Sequence, residues 1–134
     1  MSDTITHTFP LRLPDGTTTQ ATLKRRPRDA TCWIQLAAGD IQDTSTSSDY
    51  FEAFTDIRRR LAKKNIFPLC YGASRDIWPS GMARDMGQGL RGYKLKMGIP
   101  GGEMFEIFAT GPDINPVTPE EQKEYANRWF ASIK

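Results

Sequence analysis

The sequence predicts an α+β fold in which two amphipathic helices pack on a mostly antiparallel sheet of about six strands. Two alternating apolar and polar segments, joined by a turn signal, indicate a β-hairpin near the N-terminus. Two further segments space their apolar residues as helices do. The patterns follow the order ββ-β-α-β-loop-ββ-α, which differs from the regular alternation of a parallel α/β sheet. With 134 residues, 38% hydrophobic and 25% charged, we expect a single domain over residues 1–134.

The N-terminal part of the chain carries three strand patterns. Residues Thr4–Leu13 alternate, the turn tripeptide Pro14–Gly16 follows, and Thr17–Lys24 is rich in β-branched residues and alternates again. Thr31–Ala38 is a third, more apolar strand segment. Gly39–Ser48 is polar, and we interpret it as a loop.

A helix is predicted over Tyr50–Lys64, with Ser48 or Asp49 as its N-cap and Asn65 as its C-terminal stop. Acidic residues near its start and basic residues near its end suit the helix dipole. The basic run Arg58–Lys64, RRRLAKK, is therefore explained as the second half of an amphipathic helix. The expected buried stripe consists of Phe51, Phe54, Ile57 or Arg58, and Leu61.

The C-terminal half contains three more strand patterns and a second helix. Ile66–Tyr71 is a short apolar strand, and Gly92–Gly98 and Met104–Ala109 flank a turn, which predicts a hairpin. Thr118 and Glu121 then form a capping-box pattern at the start of a helix. The residues expected to face the core from this helix are Gln122, Tyr125, Ala126, Trp129, Phe130 and Ile133.

The long irregular segment Tyr71–Gly92 is the strongest candidate for a functional surface. Its sequence, YGASRDIWPSGMARDMGQGLRG, has no strand period and only one short helical pattern, around Met82–Met86. Loops of this length in small domains are usually functional or disordered, and tryptophan and methionine disfavour disorder. Tryptophan, arginine and methionine are also residues that protein interfaces favour. The residues predicted to contact a partner are Arg75, Asp76, Trp78, Ser80, Met82, Arg84, Asp85 and Arg91.

The sequence also allows a structural role for part of this segment. Trp78 can fold back as a lid over an open sheet face, while the arginines pair with the adjacent Asp76 and Asp85. Gly87–Gly92 matches the dinucleotide-binding string G-x-G-x-x-G, which requires a following helix. Here the string leads into a strand pattern, so we expect its glycines to serve the folding of the loop.

The sequence offers few groups for catalysis or metal binding. We expect His7, on the apolar side of the first strand, to be hydrogen-bonded, and Cys32 and Cys70 to be buried thiols. Cys70 can act as a nucleophile only if His7 lies beside it. Two cysteines and one histidine do not supply four zinc ligands without carboxylates. We therefore predict no catalytic residue, no metal and no cofactor.

The net charge of +2 comprises uneven blocks. Lys24–Arg28 reads KRRPR and precedes Asp29–Ile57, which contains six acidic residues and no lysine or arginine. Because nucleic-acid footprints are continuous and basic, this interruption disfavours a nucleic-acid partner. No apolar run approaches the ~18 residues of a membrane span, and the N-terminus lacks the pattern of a secretory signal. We therefore expect a cytoplasmic protein without a membrane partner.

Two stretches of the sequence, CYGASRDIWPSGMARDMGQGLRGYKL and FEIFATGPDINPVTPEEQKEYANRWF, resemble small bacterial orphan proteins that accompany secreted polymorphic toxins. Some of these proteins resemble immunity proteins. The similarity covers residues 66–131 and matches no motif with an assigned role, so no functional residue carries over. The resemblance implies a cytoplasmic inhibitor that covers the active site of a cognate toxin.

We favour this protein-binding function, and two alternatives remain open from the sequence. In the favoured hypothesis, the acidic block Asp40–Asp56 contacts a basic cleft of the toxin. The alternative for this block is a solvent-exposed loop followed by the start of a helix. The first alternative is a small enzyme or a nucleotide- or phosphate-binding protein that uses the 71–92 loop. Its ligand would be held by Arg75, Asp76, Ser80 and Arg84. The second alternative is a nucleic-acid-binding domain that uses the KRRPR run and the loop arginines.

Overall fold

The computed structural model describes residues 3–134 and confirms the α+β class, with eight strands in two antiparallel sheets and three helices among the described residues. The strands are β1 Ile5–Arg12, β2 Thr18–Arg28, β3 Thr31–Ala38, β4 Ile41–Ser47, β5 Phe67–Pro68, β6 Ile77–Trp78, β7 Arg91–Lys94 and β8 Met104–Glu106. The helices are α1 Tyr50–Ala62, α2 Gly81–Asp85 and α3 Pro119–Ser132, and a single 3₁₀ turn spans Tyr71–Ala73. In these residues no helix has the length and apolar character to cross a membrane.

The larger sheet has the strand order β4-β3-β2-β1-β5, so β1 to β4 form a meander of consecutive antiparallel neighbours. Phe9 lies opposite Ala21, and Leu23 lies opposite Leu36, and all four side chains are buried. The period-two pattern of the sequence therefore selects one face for the core. Helix α1 covers this inner face, while the outer face is open to solvent.

The prediction of a loop over Gly39–Ser48 is wrong, because Ile41–Ser47 is the edge strand β4. Its serines and threonines suit a strand, but its low hydrophobicity hid it, since an edge strand buries little surface. The edge is partly closed by side chains. The backbone N–H of Thr44 donates to Asp43 Oδ1 at 2.9 Å, and Arg60 donates to the Thr44 carbonyl at 3.0 Å.

Helix α1 starts as the sequence indicates. Asp49, rather than Ser48, is the N-cap, and its side chain accepts a hydrogen bond from Glu52 N at 2.7 Å. The helix ends at Ala62, two residues before the predicted end, and Asn65 adopts a left-handed conformation with φ of 58°. Both candidates for the third position of the buried stripe, Ile57 and Arg58, are buried.

The strand predicted over Ile66–Tyr71 is shorter than expected. Only Phe67–Pro68 pairs with β1 as a strand, and the N–H of Leu69 donates to the Pro10 carbonyl at 2.8 Å. The chain then turns, and the N–H of Gly72 donates to the Ile107 carbonyl at 2.7 Å. A Cβ atom on Gly72 would lie 2.8 Å from the Ile107 side chain, so the close approach requires glycine.

The smaller sheet, β6-β7-β8, contains the predicted hairpin. Tyr93 of β7 lies opposite Met104 of β8, and β8 ends at Glu106 rather than at Ala109. Ile107 and Phe108, beyond the strand, are buried in the core under α1.

Helix α3 has the predicted capping box, in which the Thr118 side chain accepts from Glu121 N and Glu121 accepts from Thr118 N. Gln122, Ala126 and Trp129 are buried, and Tyr125 and Ile133 are half-buried. The expectation that Phe130 faces the core is wrong, because 47% of it is exposed. Phe130 follows Trp129 and therefore lies about 100° further around the helix, outside the narrow stripe that packs against the smaller sheet.

Candidate functional site

The segment Tyr71–Gly92 is a folded strap that passes the N-terminal end of α1. It contains the 3₁₀ turn, β6, the predicted helical turn α2 and the start of β7. The backbone N–H of Tyr50 donates to the Gln88 carbonyl at 2.8 Å. Gly89 has φ of 72°, and a Cβ atom there would lie 2.9 Å from Asp49 Oδ1. The glycine string therefore serves close packing, and a strand follows it as expected.

Trp78 is turned towards the interior of the molecule and matches the lid alternative. Its ring packs edge-on against Phe51 with 5.4 Å between centroids, and the Arg84 guanidinium lies 5.4 Å from its centroid on another side. It contacts both hydrophobic clusters, the main core and the smaller cluster of Leu95, Ala126 and Trp129. Trp78 is therefore a half-buried bridge between the two clusters, and most of its ring is engaged within the chain.

Arg84 pairs with helix α1 instead of with the adjacent Asp85. Its Nη1 atom lies 3.3 Å from Asp49 Oδ2 and 3.9 Å from Glu52 Oε2. Its guanidinium also lies 5.0 Å from the centroid of the Phe51 ring. Asp49 thus caps α1 and holds α2 at once, because its two oxygens serve different partners. The side chain of Asp85 is exposed.

The other polar side chains predicted to form the site also have partners within the strap or α3. Arg75 is exposed and lies over the Tyr125 ring at 4.7 Å, and Asp76 accepts from Ser74 Oγ at 3.0 Å. Ser80 is the N-cap of α2 and accepts from Ala83 N at 3.0 Å. Because Arg75, Ser80 and Arg84 are bound to three different places, they do not converge on one phosphate site.

Met82 and Arg91 line an open groove of about 470 Å³ beside α2. Met82 is 71% exposed, Met86 on the same short helix is 81% exposed, and Met104 on β8 is 45% exposed. The whole lining consists of Ser80, Met82, Ala83, Met86, Gly87, Leu90, Arg91, Tyr93 and Met104. We call this surface the methionine groove.

Sequence reasoning missed six of the nine residues that line the methionine groove. Met86, Leu90, Tyr93 and Met104 were not predicted to be site residues, although Met86 and Leu90 lie within the candidate segment. Met104 reaches the groove only because β8 pairs with β7 in a register that sets it opposite Tyr93. The only signal in the sequence that Met104 belongs to a surface site was its place on the side of the hairpin strand that alternation predicts to be exposed.

The groups considered for catalysis are occupied or shielded. His7 Nε2 accepts a hydrogen bond from Arg25 Nε at 2.9 Å, as expected for a satisfied strand histidine, and burial and the Arg25 charge lower its pKa. Cys32 and Cys70 are free and buried, as predicted. Burial raises the pKa of Cys70 to about 12, so its thiol stays protonated at neutral pH.

Arg58 is buried where three parts of the chain meet. The sequence had left it either among the basic residues at the end of α1 or in the buried stripe of that helix. It is 2% exposed, and Nη1 donates to Gln122 Oε1 at 2.7 Å and to the Gly72 carbonyl at 3.1 Å. Nη2 donates to the Val117 carbonyl at 3.0 Å. Burial lowers the pKa of Arg58 to about 10, so it remains charged at neutral pH. Arg58 therefore joins α1, the strap and the start of α3.

Within residues 3–134, no group of three or more histidine, cysteine or acidic side chains is arranged to hold a metal ion. No protein-family model matches this sequence, and no curated protein matches it either.

Proposed function

We propose that this chain is a protein-binding module that docks a partner protein through the methionine groove. The observation that carries the proposal is the exposure of Met82, Met86 and Met104 around one concave surface. Exposed apolar groups are unfavourable in water, and clusters of them mark interaction sites. Methionine suits such sites because its flexible thioether adapts to the surface of a partner.

The groove stands on a preorganised base, which favours tight binding. Helix α2 is held by the Ser80 cap and by the Arg84–Asp49 ion pair, and Trp78 packs beneath Arg84. A surface that is already ordered loses less conformational entropy when a partner binds. Arg91, exposed at the rim, adds a cation that can contact an acidic or hydrogen-bonding group of the partner.

The partner we propose is a cognate bacterial toxin, which makes this chain an immunity protein of the cytoplasm. The resemblance of residues 66–131 to orphan proteins of toxin systems supports this choice, since the strap and the groove lie within that range. The acidic block does not support it, because Asp43, Asp49 and Asp56 each pair with an arginine of this chain. The proposal therefore depends on the groove.

The test is co-expression with the protein encoded immediately upstream, followed by purification of the complex and a survival assay. We expect the wild-type chain to co-purify with that protein and to protect the cells. Met82→Glu combined with Met86→Glu should weaken binding by about 2 kcal/mol or more, which is about 30-fold in Kd, and abolish protection.

Met97→Glu is the matched control, because Met97 is exposed but lies outside the groove lining. It should leave binding unchanged within about twofold. A groove variant that binds as tightly as the wild type would show that the partner docks elsewhere. If no complex forms and the cells die unprotected, the immunity function is refuted.

A further inference from the structure

The outer face of the larger sheet is open to solvent and carries no acidic residue in its strand positions. Along β1 to β4 the side chains that point away from α1 are threonine, glutamine, proline, alanine, lysine, arginine and tryptophan. Lys24, Arg26 and Arg28 follow one another on this face of β2, about 7 Å apart because outward residues alternate. The face thus carries an unbroken row of three cations on β2 among mostly neutral side chains.

A polar depression of about 440 Å³ lies on this face, towards the end of the sheet that carries the β2–β3 turn. It is lined by Thr4, Thr6, Lys24, Arg26, Trp33 and Gln35. Arg26 lies directly opposite Trp33 in the sheet register, and its guanidinium lies 4.7 Å from the centroid of the tryptophan ring. In the next row Lys24 lies between Thr6 and Gln35. An aromatic-cation stack is therefore flanked by hydrogen-bonding side chains.

No acidic residue of the block Asp29–Ile57 occupies an outward position in β3 or β4. Asp43 lies on the inner side of β4 and binds Arg60, and Asp56 on α1 binds Arg59. Asp49 is buried beneath Arg84. Asp29 and Asp40 are exposed in the turns at the two ends of β3, so they flank the outer face without interrupting the row of cations on β2.

We propose that the outer face of the larger sheet binds single-stranded nucleic acid. Lys24 and Arg28 contact phosphates, and a base stacks on the Arg26–Trp33 pair. The threonine and glutamine rows donate and accept hydrogen bonds at base or sugar edges. A shallow sheet face suits an unpaired strand, because reading a duplex in the major groove requires a protruding helix or ribbon.

This ligand fits the surface better than an acidic protein does. The centres of protein interfaces are rich in apolar side chains, whereas Trp33 is the one large apolar side chain among the outward positions of β1 to β4. The methionine groove is lined by different residues, so the two surfaces are independent.

The test is fluorescence anisotropy with labelled oligo-dT and oligo-U of about 15 nucleotides, with a duplex of equal length as a third probe. We expect both single strands to bind more tightly than the duplex. The logarithm of the affinity should fall with the logarithm of the salt concentration with a slope of about −1.4, which is about −0.7 for each of the two cations that contact phosphates, Lys24 and Arg28. Binding of only one single strand identifies DNA or RNA as the ligand and supports the site.

Two variants examine the site. Lys24→Gln combined with Arg28→Gln should reduce affinity about tenfold or more at about 50 mM salt and bring the slope close to zero. Trp33→Leu should weaken binding about fivefold or more through lost stacking. Because Lys24 and Arg28 are exposed, the first variant remains informative if Trp33→Leu fails to fold.

The control is Lys63→Gln combined with Lys64→Gln, which removes the same charge from the exposed region that follows α1. It should change affinity less than about twofold. The proposal is overturned by equal losses in the control and the sheet variant, by no binding at about 50 mM salt, or by a duplex bound as tightly as the single strands. Polyglutamate binding of the same strength would instead indicate a general polyanion or acidic-protein site.

Discussion

Arg58 shows how one buried side chain can join segments that are far apart in the sequence. Its guanidinium binds the amide oxygen of Gln122 and the carbonyls of Gly72 and Val117, which belong to segments far apart in the sequence. Gln122 in turn donates to the Ile77 carbonyl at 2.9 Å. Arg58 and Gln122 together therefore donate hydrogen bonds to the Gly72 and Ile77 carbonyls of the strap. A carbonyl that is buried without a donor is unfavourable.

We predict that Arg58→Met lowers the free energy of unfolding by about 3 kcal/mol or more, because it leaves the Gln122 amide oxygen and the Val117 carbonyl without donors. Urea unfolding measures the change. Arg59→Met on the next position is the control, since Arg59 is half-exposed and forms only surface ion pairs, and it should change stability by less than about 1 kcal/mol. Equal losses in the two variants would contradict the role assigned to Arg58.

At the scale of elements, α2 is too short to be stable by itself. A helix of five residues does not repay its nucleation without tertiary contacts. Those contacts are the Ser80 cap, the Arg84–Asp49 ion pair and the stacking of Arg84 on Phe51 and Trp78. Met82 and Met86 therefore keep their places in the groove through contacts made by Ser80 and Arg84.

We predict that Arg84→Ala increases amide hydrogen exchange across residues 83–89 about fivefold, while the rest of the chain keeps its protection. The reason is that α2 loses its partly buried link to α1. Asp85→Ala is the control, because Asp85 is exposed and adjacent to Arg84. Unchanged exchange in Arg84→Ala would mean that the Ser80 cap and backbone hydrogen bonds hold α2 alone.

At the scale of the whole molecule, Trp78 connects two hydrophobic clusters. The main core lies between the larger sheet and α1, and the smaller cluster lies under α3. Trp78 contacts both and pairs opposite Tyr93 in the smaller sheet. Its packing therefore links the stability of the C-terminal helix to that of the main core.

We predict that Trp78→Ala lowers the free energy of unfolding by about 3 kcal/mol or more, because it removes a large side chain from both clusters. Unfolding should be followed by circular dichroism and by tryptophan fluorescence, which report on different parts of the molecule. Phe130→Ala is the control, and its exposed ring should contribute less than about 1 kcal/mol. A Trp78→Ala protein as stable as the wild type would contradict the role of Trp78 as a bridge between the two clusters.

Local patterns in the sequence determined the elements whose signals lie within a few residues. The alternation in Thr4–Leu13 predicted β1, and Thr118 with Glu121 predicted the start of α3. These signals are local because side-chain direction follows the backbone period and a cap involves neighbouring residues. The strap was recognised as unusual for the same reason, because its apolar residues follow neither the helical nor the strand period.

Only the tertiary structure decided which side chains of these elements are covered. It turned Trp78 inward, buried Arg58, identified Ile41–Ser47 as an edge strand and brought Met104 beside the methionines of α2. It also placed Lys24, Arg26 and Arg28 together on the outer face of the sheet and turned Asp43 to the inner face, where it pairs with Arg60. The physical reason is that burial and pairing depend on contacts between residues distant in the chain, which no local period encodes.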